Sequence, residues 1–225
     1  MASRTATHEI ILRQWHASVD YEPVWHAMRT FTRSRDQAGS DELWLLEHNP
    51  VYTLGIRGQA DQPVSEISGI PVVQSDRGGL ITYHGPGQVV IYVLIDIRRR
   101  KLGLKALVEL LEQAVIDVLA GMDIDAGRRD GAPGVYVGGR KLASLGLRMI
   151  NGRTYHGISM NVDMDLAPFE RIDPCGYEGL EMTDLARLGV NGDLQAIGRV
   201  LAGEISRLLG YTHIIDAQPD REIQV

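Results

Sequence analysis

The residue best suited to chemistry is the single cysteine of the 225-residue chain, Cys175. It lies in the segment IDPCG, between a proline and a glycine that are both unfavourable inside a helix or strand. These neighbours predict a turn on which the thiol is accessible, although a lone cysteine is more often a small buried hydrophobic residue. One cysteine allows neither an intrachain disulfide nor a multi-thiolate metal site.

A lysine flanked by small residues forms a second candidate. Lys141 lies in GGRKLASLG and opens a predicted strand, and the facing strand contains His156, Gly157 and Ser159 in HGISMN. A lysine at the edge of a hairpin usually faces solvent. The small residues beside it, however, would allow a substrate or another backbone to approach closely.

The third candidate is the glycine-rich segment DRGGLITYHGPGQ, residues 76–88. It has four glycines and one proline, and it leads directly into an apolar strand. Most glycine-rich segments are irregular connections. This one also carries Arg77, Tyr83 and His84 beside an approachable backbone, and loops of that kind at the end of a strand are common binding surfaces.

Strands and helices must position these segments, and their patterns alternate along the chain. The predicted elements are a strand at 9–15, a helix from the cap Asp20 to about 35, strands at 42–47, 51–54 and 88–96, a helix at 104–122, a hairpin of 141–149 and 154–162 around Asn151-Gly152, and a final helix capped by Asn191 or Asp193. This order predicts an α/β (α+β) fold with a mixed sheet flanked by helices, rather than a doubly wound parallel sheet. A dinucleotide fingerprint after a strand is absent.

Composition narrows the class of protein. The formal net charge of −6 argues against sequence-independent binding of nucleic acid, despite the basic stretch 98–101, which we expect to form a solvated turn or a small docking patch for an acidic partner. No apolar run has the length of a membrane span or a signal peptide, so a cytoplasmic protein without membrane association is expected. The histidines lack a metal-binding spacing, so no metal is expected. We expect residues 1–225 to form a single domain.

The three segments, preceded by EHNPVYTLGIRG at residues 47–58, occur in an order that resembles the lipoyl (octanoyl) transferase family, also called lipoate-protein ligase B. The resemblance covers a motif-bearing core at about 45–188 and implies that residues 1–225 form a single catalytic domain, with a fold like that of the biotin protein ligase/lipoate ligase catalytic domain. It implies transfer of an octanoyl group from octanoyl-acyl carrier protein to a lysine of lipoyl domains, in 2-oxoacid dehydrogenase complexes and in the glycine cleavage H protein, without a cofactor.

The resemblance also assigns roles to residues. It makes Cys175 the nucleophile that carries the acyl group as a thioester and Lys141 the residue that activates it. The substrate-binding stretches fall on Arg77, Gly78, Gly79, Leu80, Ile81, Thr82, Tyr83, His84, Ser144, Leu145, Gly146, Gly157, Ile158 and Ser159.

Two roles remain open for Lys141. A free cysteine, with a pKa of about 8.5, is only slightly ionised at neutral pH, and an adjacent ammonium would favour the thiolate. A desolvated neutral amine would instead remove protons from Cys175 and from the incoming lysine. Backbone N–H groups near Gly176, or in the Gly78-Gly79 loop, are candidates for stabilising the oxyanion.

Three rival functions remain. An ATP-dependent lipoyl or biotinyl ligase on the same fold would need a lysine near the phosphates but no nucleophilic thiol. A cysteine hydrolase would pair Cys175 with His84 or His156. A non-catalytic scaffold or lipid-binding protein would tolerate Cys175→Ser.

Overall fold

Two β-sheets organise the part of the chain that the computed structural model describes, which comprises residues 8–36, 39–58, 65–173 and 179–219. The larger sheet contains β1 (Glu9–Gln14), β2 (Glu42–Leu46), β7 (Gln88–Leu94), β8 (Val135–Val137), β9 (Arg140–Ile150), β10 (Arg153–Asn161) and β11 (His213–Ala217). The smaller sheet contains β3 (Val51–Leu54), β4 (Glu66–Ile67), β5 (Ile70–Gln74) and β6 (Ile81–His84). The helices are α1 (Tyr21–Ser34), α2 (Leu104–Ala120) and α3 (Leu194–Leu208), together with short 3₁₀ helices at Ala167–Arg171 and Ala186–Leu188.

The larger sheet is mixed. Its strands follow the order β11-β1-β2-β7-β10-β9-β8. Strand β1 pairs in parallel with β11 and β2, and the other neighbours pair antiparallel. The predicted mixed α/β fold is therefore confirmed.

Strand β7 lies at the centre of this sheet and is buried along its whole length. Successive side chains of a strand point to opposite faces. Its odd-numbered residues 89–93 accordingly pack in the core that contains residues of α2 and α3, and its even-numbered residues 90–94 pack in the core that contains residues of α1. Helices thus cover both faces, which explains why the segment is apolar without alternation.

The hairpin of β9 and β10 forms where the sequence predicts it. Asn151 and Gly152 both have positive φ, 50° and 77°, and Ile150 pairs with Arg153 across the turn. Two consecutive positive φ angles match the twist of the flanking strands. The turn therefore fixes the register along both strands, which carry most of the small residues of the candidate site.

Two helix caps differ from each other. Asp193 caps α3 as predicted, because its carboxylate accepts the N–H of Ala196 at 2.8 Å. Asp20 precedes α1, but its Oδ1 accepts from the Nδ2 of Asn49 at 2.7 Å and caps no helical N–H. Asp20 therefore ties the start of α1 to the turn between β2 and β3.

The smaller sheet has a core of its own. Strand β6 lies inside the glycine-rich segment, so that segment is a loop followed by a strand rather than an irregular connection throughout. The core beside this sheet contains Tyr52, Tyr83, Met164, Leu166 and Phe169.

The basic stretch 98–101 forms a turn as expected, but most of its cationic side chains contact other residues of the protein. The side chain of Arg99 is buried, and its Nη2 lies 3.3 Å from the Oδ1 of Asp41. The guanidinium of Arg100 lies 3.8 Å from the centroid of the Tyr211 ring. The expectation of a solvated turn is therefore wrong for Arg99. None of the described helices combines the length and apolar character needed to cross a membrane.

Candidate active site

A pocket lies between the two sheets and encloses about 580 Å³ of space, part of it open to solvent. The glycine-rich segment, the strand that carries Lys141 and the facing strand with HGISMN all contribute to it. Its lining residues are Tyr21, Arg77, Gly79, Leu80, Ile81, Thr82, His84, Val90, Tyr92, Lys141, Ser144, Leu145, Gly146, His156, Gly157, Ile158 and Ser159.

The floor of the pocket is built from small residues on neighbouring strands. Ser144 pairs with Ser159, and Gly146 pairs with Gly157, across β9 and β10. Side chains directly opposite each other in an antiparallel pair lie on the same face of the sheet. Four small residues therefore form a trough, beside which β7 carries a bulkier residue, Tyr92, in register with Gly157.

The glycine-rich segment closes over this floor through backbone contacts. The N–H of Gly78 donates to the carbonyl of Leu147 at 3.0 Å. A Cβ on Gly146 would lie 3.0 Å from the carbonyl oxygen of Gly78, so glycine allows the two chains to approach. Gly78 does not line the pocket, and its N–H, already engaged by Leu147, is not available as an oxyanion donor.

Arg77 is buried and holds the segment in shape. Its guanidinium donates to the hydroxyl and the carbonyl of Thr53 at 2.9 and 2.5 Å, and to the carbonyls of Gly78 and Leu80 at 2.9 and 2.8 Å. Those acceptors belong to β3 and to the loop before β6. The arginine therefore positions the wall of the pocket, although part of it also lines the cavity.

Tyr83 lies outside the pocket. Its ring packs at right angles to Phe169, with the centroids 5.5 Å apart, and also contacts Tyr52. Strand alternation explains this placement, because Thr82 and His84 flank Tyr83 in β6 and line the pocket on the opposite face. The segment thus divides into residues that reach the pocket and residues that anchor it.

Two buried histidines lie at one end of the pocket. His84 lines the pocket, and its Nδ1 donates a hydrogen bond to the Oε1 of Gln88 at 2.7 Å. His48 lies behind it, with Nε2 2.6 Å from the hydroxyl of Tyr92. Burial lowers the pKa of His84 to about 3 and that of His48 to about 4, so both rings are neutral at physiological pH.

A third histidine, His156, has a more unusual setting. It adopts a φ of +59° in the middle of β10, and its Nε2 lies 3.0 Å from the Oδ1 of Asp76. The carboxylate of Asp76 also accepts from the indole of Trp25 at 2.8 Å and from the hydroxyl of Tyr155 at 2.5 Å. Burial alone would raise the pKa of Asp76, but the hydrogen bonds from His156, Tyr155 and Trp25 outweigh it and hold that pKa below its usual range.

These contacts define the state of the imidazole. Burial lowers the pKa of His156, and an ionised Asp76 accepts the proton on Nε2. The other ring nitrogen, Nδ1, is buried and has no hydrogen-bond partner within the described residues. A neutral imidazole with an unused acceptor therefore lines the pocket.

Lys141 is almost completely buried, with 1% of its surface exposed. Its backbone N–H donates to the carbonyl of Glu181, and its carbonyl accepts from Thr183, both at 2.9 Å. Strand β8 pairs with β9 as well. The start of β9 is thus covered, and the expectation that a lysine at a hairpin edge faces solvent is wrong for this residue.

The side chain of Lys141 is directed along the pocket wall. Its Nζ donates to the carbonyl of Pro133 at 2.8 Å and lies 5.5 Å from the centroid of the Tyr136 ring. Cys175, predicted as the nucleophile, lies outside the described residues. The structure thus brings Lys141 and most of the predicted binding residues to one pocket.

The sequence led to no prediction for four residues of the site, Tyr21, Asp76, Val90 and Tyr92, and it predicted a role for His156 only as a partner of Cys175 in a hydrolase. Signals for two of them were present. Asp76 is the first residue of the glycine-rich segment, and His156 stands beside Gly157 in HGISMN. Tyr21, Val90 and Tyr92 read as ordinary core residues of a helix and a strand.

Two curated relatives match most of the chain. The octanoyltransferase of Aromatoleum aromaticum is 56% identical over 191 residues, which cover 85% of this chain and 82% of that protein. The octanoyltransferase of Nitrosococcus oceani is 52% identical over 205 residues, which cover 91% of each.

Solved structures share the fold. A bipartite lipoate protein ligase from Thermoplasma acidophilum superposes with a TM-score of 0.74 at 14% identity, covering 97% of this chain and 89% of that chain. Biotin protein ligase from Aquifex aeolicus gives a TM-score of 0.55 at 16% identity, covering 89% and 69%. The predicted likeness to both ligase folds is confirmed.

The family model described as the lipoyl protein ligase A/B catalytic domain matches residues 20–206. That range contains all four sequence motifs and every residue that lines the pocket. The chain therefore belongs to the lipoyl protein ligase A/B family and, by its identity to the curated relatives, to the octanoyltransferases within it.

Proposed function

We propose that the protein transfers an octanoyl group from octanoyl-acyl carrier protein to a lysine of a lipoyl domain, through a thioester on Cys175. The observation that carries the proposal is the pocket, which has a floor of small residues and a buried amine, Lys141, in its wall. Such a trough suits an unbranched acyl chain. The octanoyltransferases that match over most of the chain support the same reaction.

The short sequence separation between Cys175 and the residues that pair with Lys141 supports a meeting of thiol and amine. Glu181 and Thr183 hydrogen bond to the backbone of Lys141. Glu181 is six positions after Cys175 (181 − 175), and a chain spans at most about 3.6 Å per residue, or about 20 Å here. Covalent geometry therefore keeps Cys175 within a range in which its thiol can reach the amine of Lys141.

The first half-reaction exchanges one thioester for another. The Cys175 thiolate attacks the thioester carbonyl of the donor, the bond from that carbonyl to the carrier sulfur breaks, and the carrier leaves as a thiol after taking up a proton. Lys141 serves this step either by stabilising the thiolate as an ammonium or by accepting the thiol proton as an amine.

The second half-reaction forms the amide. The amine of the target lysine attacks the acyl carbonyl on Cys175, the carbon–sulfur bond breaks, and the cysteine leaves as a thiolate. The attacking amine loses a proton, which Lys141 accepts in this proposal. Because an amide is more stable than a thioester, this step needs no ATP.

Intact-mass spectrometry after incubation with octanoyl-acyl carrier protein tests the proposal. The expected result is one added octanoyl group that hydroxylamine removes and that maps to Cys175. The acylated protein, once separated from donor, should pass the group to a lipoyl domain. Cys175→Ser should show no hydroxylamine-sensitive adduct and no transfer.

The rival functions give different results in the same experiment. Transfer that requires ATP, with no adduct on Cys175, would identify a ligase. Release of free octanoate at the rate of transfer, without an acceptor domain, would identify a hydrolase. Either result would overturn the proposal.

A further inference from the structure

A short loop presses against the side chain of Lys141. Gly134 has a φ of +144°, and a Cβ on it would lie 2.4 Å from the Cε and 3.0 Å from the Nζ of Lys141. The preceding residue, Pro133, supplies the carbonyl that accepts from the same Nζ at 2.8 Å. The position of the amine therefore depends on where this loop sits.

A carboxylate on α2 holds the loop. The Oε1 of Glu112 accepts the N–H of Gly134 at 2.8 Å, and its Oε2 accepts from the Nε of Arg128 at 3.0 Å. Glu112 is only 5% exposed and stands among the buried residues of α2, between Leu111 and Ala114. A carboxylate on the buried side of a helix is costly unless its oxygens are paired, and here each oxygen has a partner.

A second contact fixes the other end of the same loop. The hydroxyl of Tyr136 donates to the carbonyl of Ala132 at 3.0 Å, and the Tyr136 ring lies under the Nζ of Lys141. The loop is thus held from α2 by Glu112 and from β8 by Tyr136. Lys141 contacts the segment between these two anchors.

We infer that Glu112 is a positioning residue for octanoyl transfer, which sets the place of the Lys141 amine through the Gly134 amide and the Pro133 carbonyl. The inference rests on the proposed role of Lys141. Glu112 does not line the pocket, so it acts through the loop and not on the substrate. A displacement of a reacting group by about 1 Å can lower a rate by about 100-fold.

The test compares Glu112→Ala with Glu112→Gln in steady-state transfer of octanoyl groups. We expect Glu112→Ala to lower kcat by about 10- to 100-fold while the KM for octanoyl-acyl carrier protein stays within about two-fold, because the pocket itself is unchanged. Glu112→Gln retains an oxygen that accepts from the Gly134 N–H, so it should recover most of kcat. A residue needed only for folding would reduce the fraction of active enzyme in Glu112→Ala and leave kcat per active site unchanged, so kcat is expressed per folded enzyme, with the folded fraction measured by circular dichroism.

Matched controls are available on the same helix and in the same loop. Glu109→Ala removes a carboxylate that is exposed on α2 and pairs with Lys105, so it should leave kcat unchanged. Tyr136→Phe keeps the ring but removes the hydroxyl that donates to the carbonyl of Ala132. It should lower kcat without changing KM, and it provides a second test if Glu112→Ala does not fold. Unchanged kcat in both Glu112→Ala and Tyr136→Phe, or a loss confined to KM, would overturn the inference.

Lys141→Ala, measured in parallel, separates this inference from the proposed function. Full activity in Lys141→Ala would remove the proposed role of the amine. Loss of activity in Lys141→Ala together with normal kcat in Glu112→Ala would leave that role intact and overturn the positioning role alone.

Discussion

The Nε2 of His156 lies 3.0 Å from the Oδ1 of Asp76, although the two residues are 80 positions apart in the chain. The contact joins the glycine-rich segment to the middle of β10. It orients the imidazole of His156, a residue that has a positive φ and lines the pocket. Residues held in sparsely populated backbone conformations persist only where their surroundings enforce them, and Asp76 is a large part of those surroundings here.

Asp76→Asn should destabilise the fold. The carboxylate of Asp76 accepts hydrogen bonds from neutral donors on Trp25, Tyr155 and His156. In the asparagine variant, one of the two accepting oxygens is replaced by an NH₂ group, which can only donate. We expect a loss of about 2 kcal/mol in the free energy of unfolding at pH 7, measured by urea denaturation. The exposed Asp125→Asn is the control. Since the folded-state pKa of Asp76 is depressed, the difference between wild type and variant should shrink as the pH falls below about 4.

The buried neutral histidines predict loss of stability in acid. His48 and His84 have folded-state pKa values of about 4 and about 3, lowered by burial. An unfolded histidine titrates near pH 6.5, so between about pH 4 and 6.5 each binds a proton on unfolding, and stability falls as the pH falls. Each contributes a slope of about 1.4 kcal/mol per pH unit in that window.

Urea denaturation across this pH range checks the slope. His84→Gln should reduce the slope by about 1.4 kcal/mol per pH unit, whatever its effect on absolute stability. His48→Gln, at the second buried histidine with a lowered pKa, should reduce the slope by the same amount. An unchanged slope in His84→Gln would mean that this ring is already charged in the folded protein.

Ser159→Val should shift the preferred acyl chain towards shorter lengths. Ser159 lies on the floor of the pocket opposite Ser144, and valine would add bulk to that floor. The ratio of kcat/KM for hexanoyl over octanoyl donors should rise by about ten-fold, in line with the cost of one methylene in an apolar pocket. A uniform loss for both donors would place the acyl chain elsewhere.

Lys141→Arg should lower octanoyl transfer by at least about 100-fold. A guanidinium remains protonated and cannot act as a base, and its greater width would meet Gly134, which already contacts the lysine stem. Single-turnover transfer from the acylated enzyme to a lipoyl domain measures the effect. Lys105→Arg, at an exposed position on α2, is the control. Near-normal transfer in Lys141→Arg would exclude the base role while leaving an electrostatic one.

Local patterns in the sequence were sufficient for several elements. The apolar run of β7, the helical stripe of α2 and the Asn151-Gly152 turn each reflect interactions within a few residues or a simple burial periodicity. Strand β6 was harder to predict, because its four residues stand among glycines that favour loop assignments. Strand β11 lies at an exposed edge, where alternation between buried and exposed positions is absent.

By itself, the sequence determined the family, the mixed α/β class and the segments that meet at the site, since ordered motifs and local periodicity are properties of the chain alone. Only the tertiary structure decided that Lys141 is buried, that Arg77 holds backbone carbonyls, and that Asp76 orients His156. Those outcomes depend on contacts between residues far apart in the chain, and neither residue type nor spacing specifies which distant groups come together when the two sheets pack.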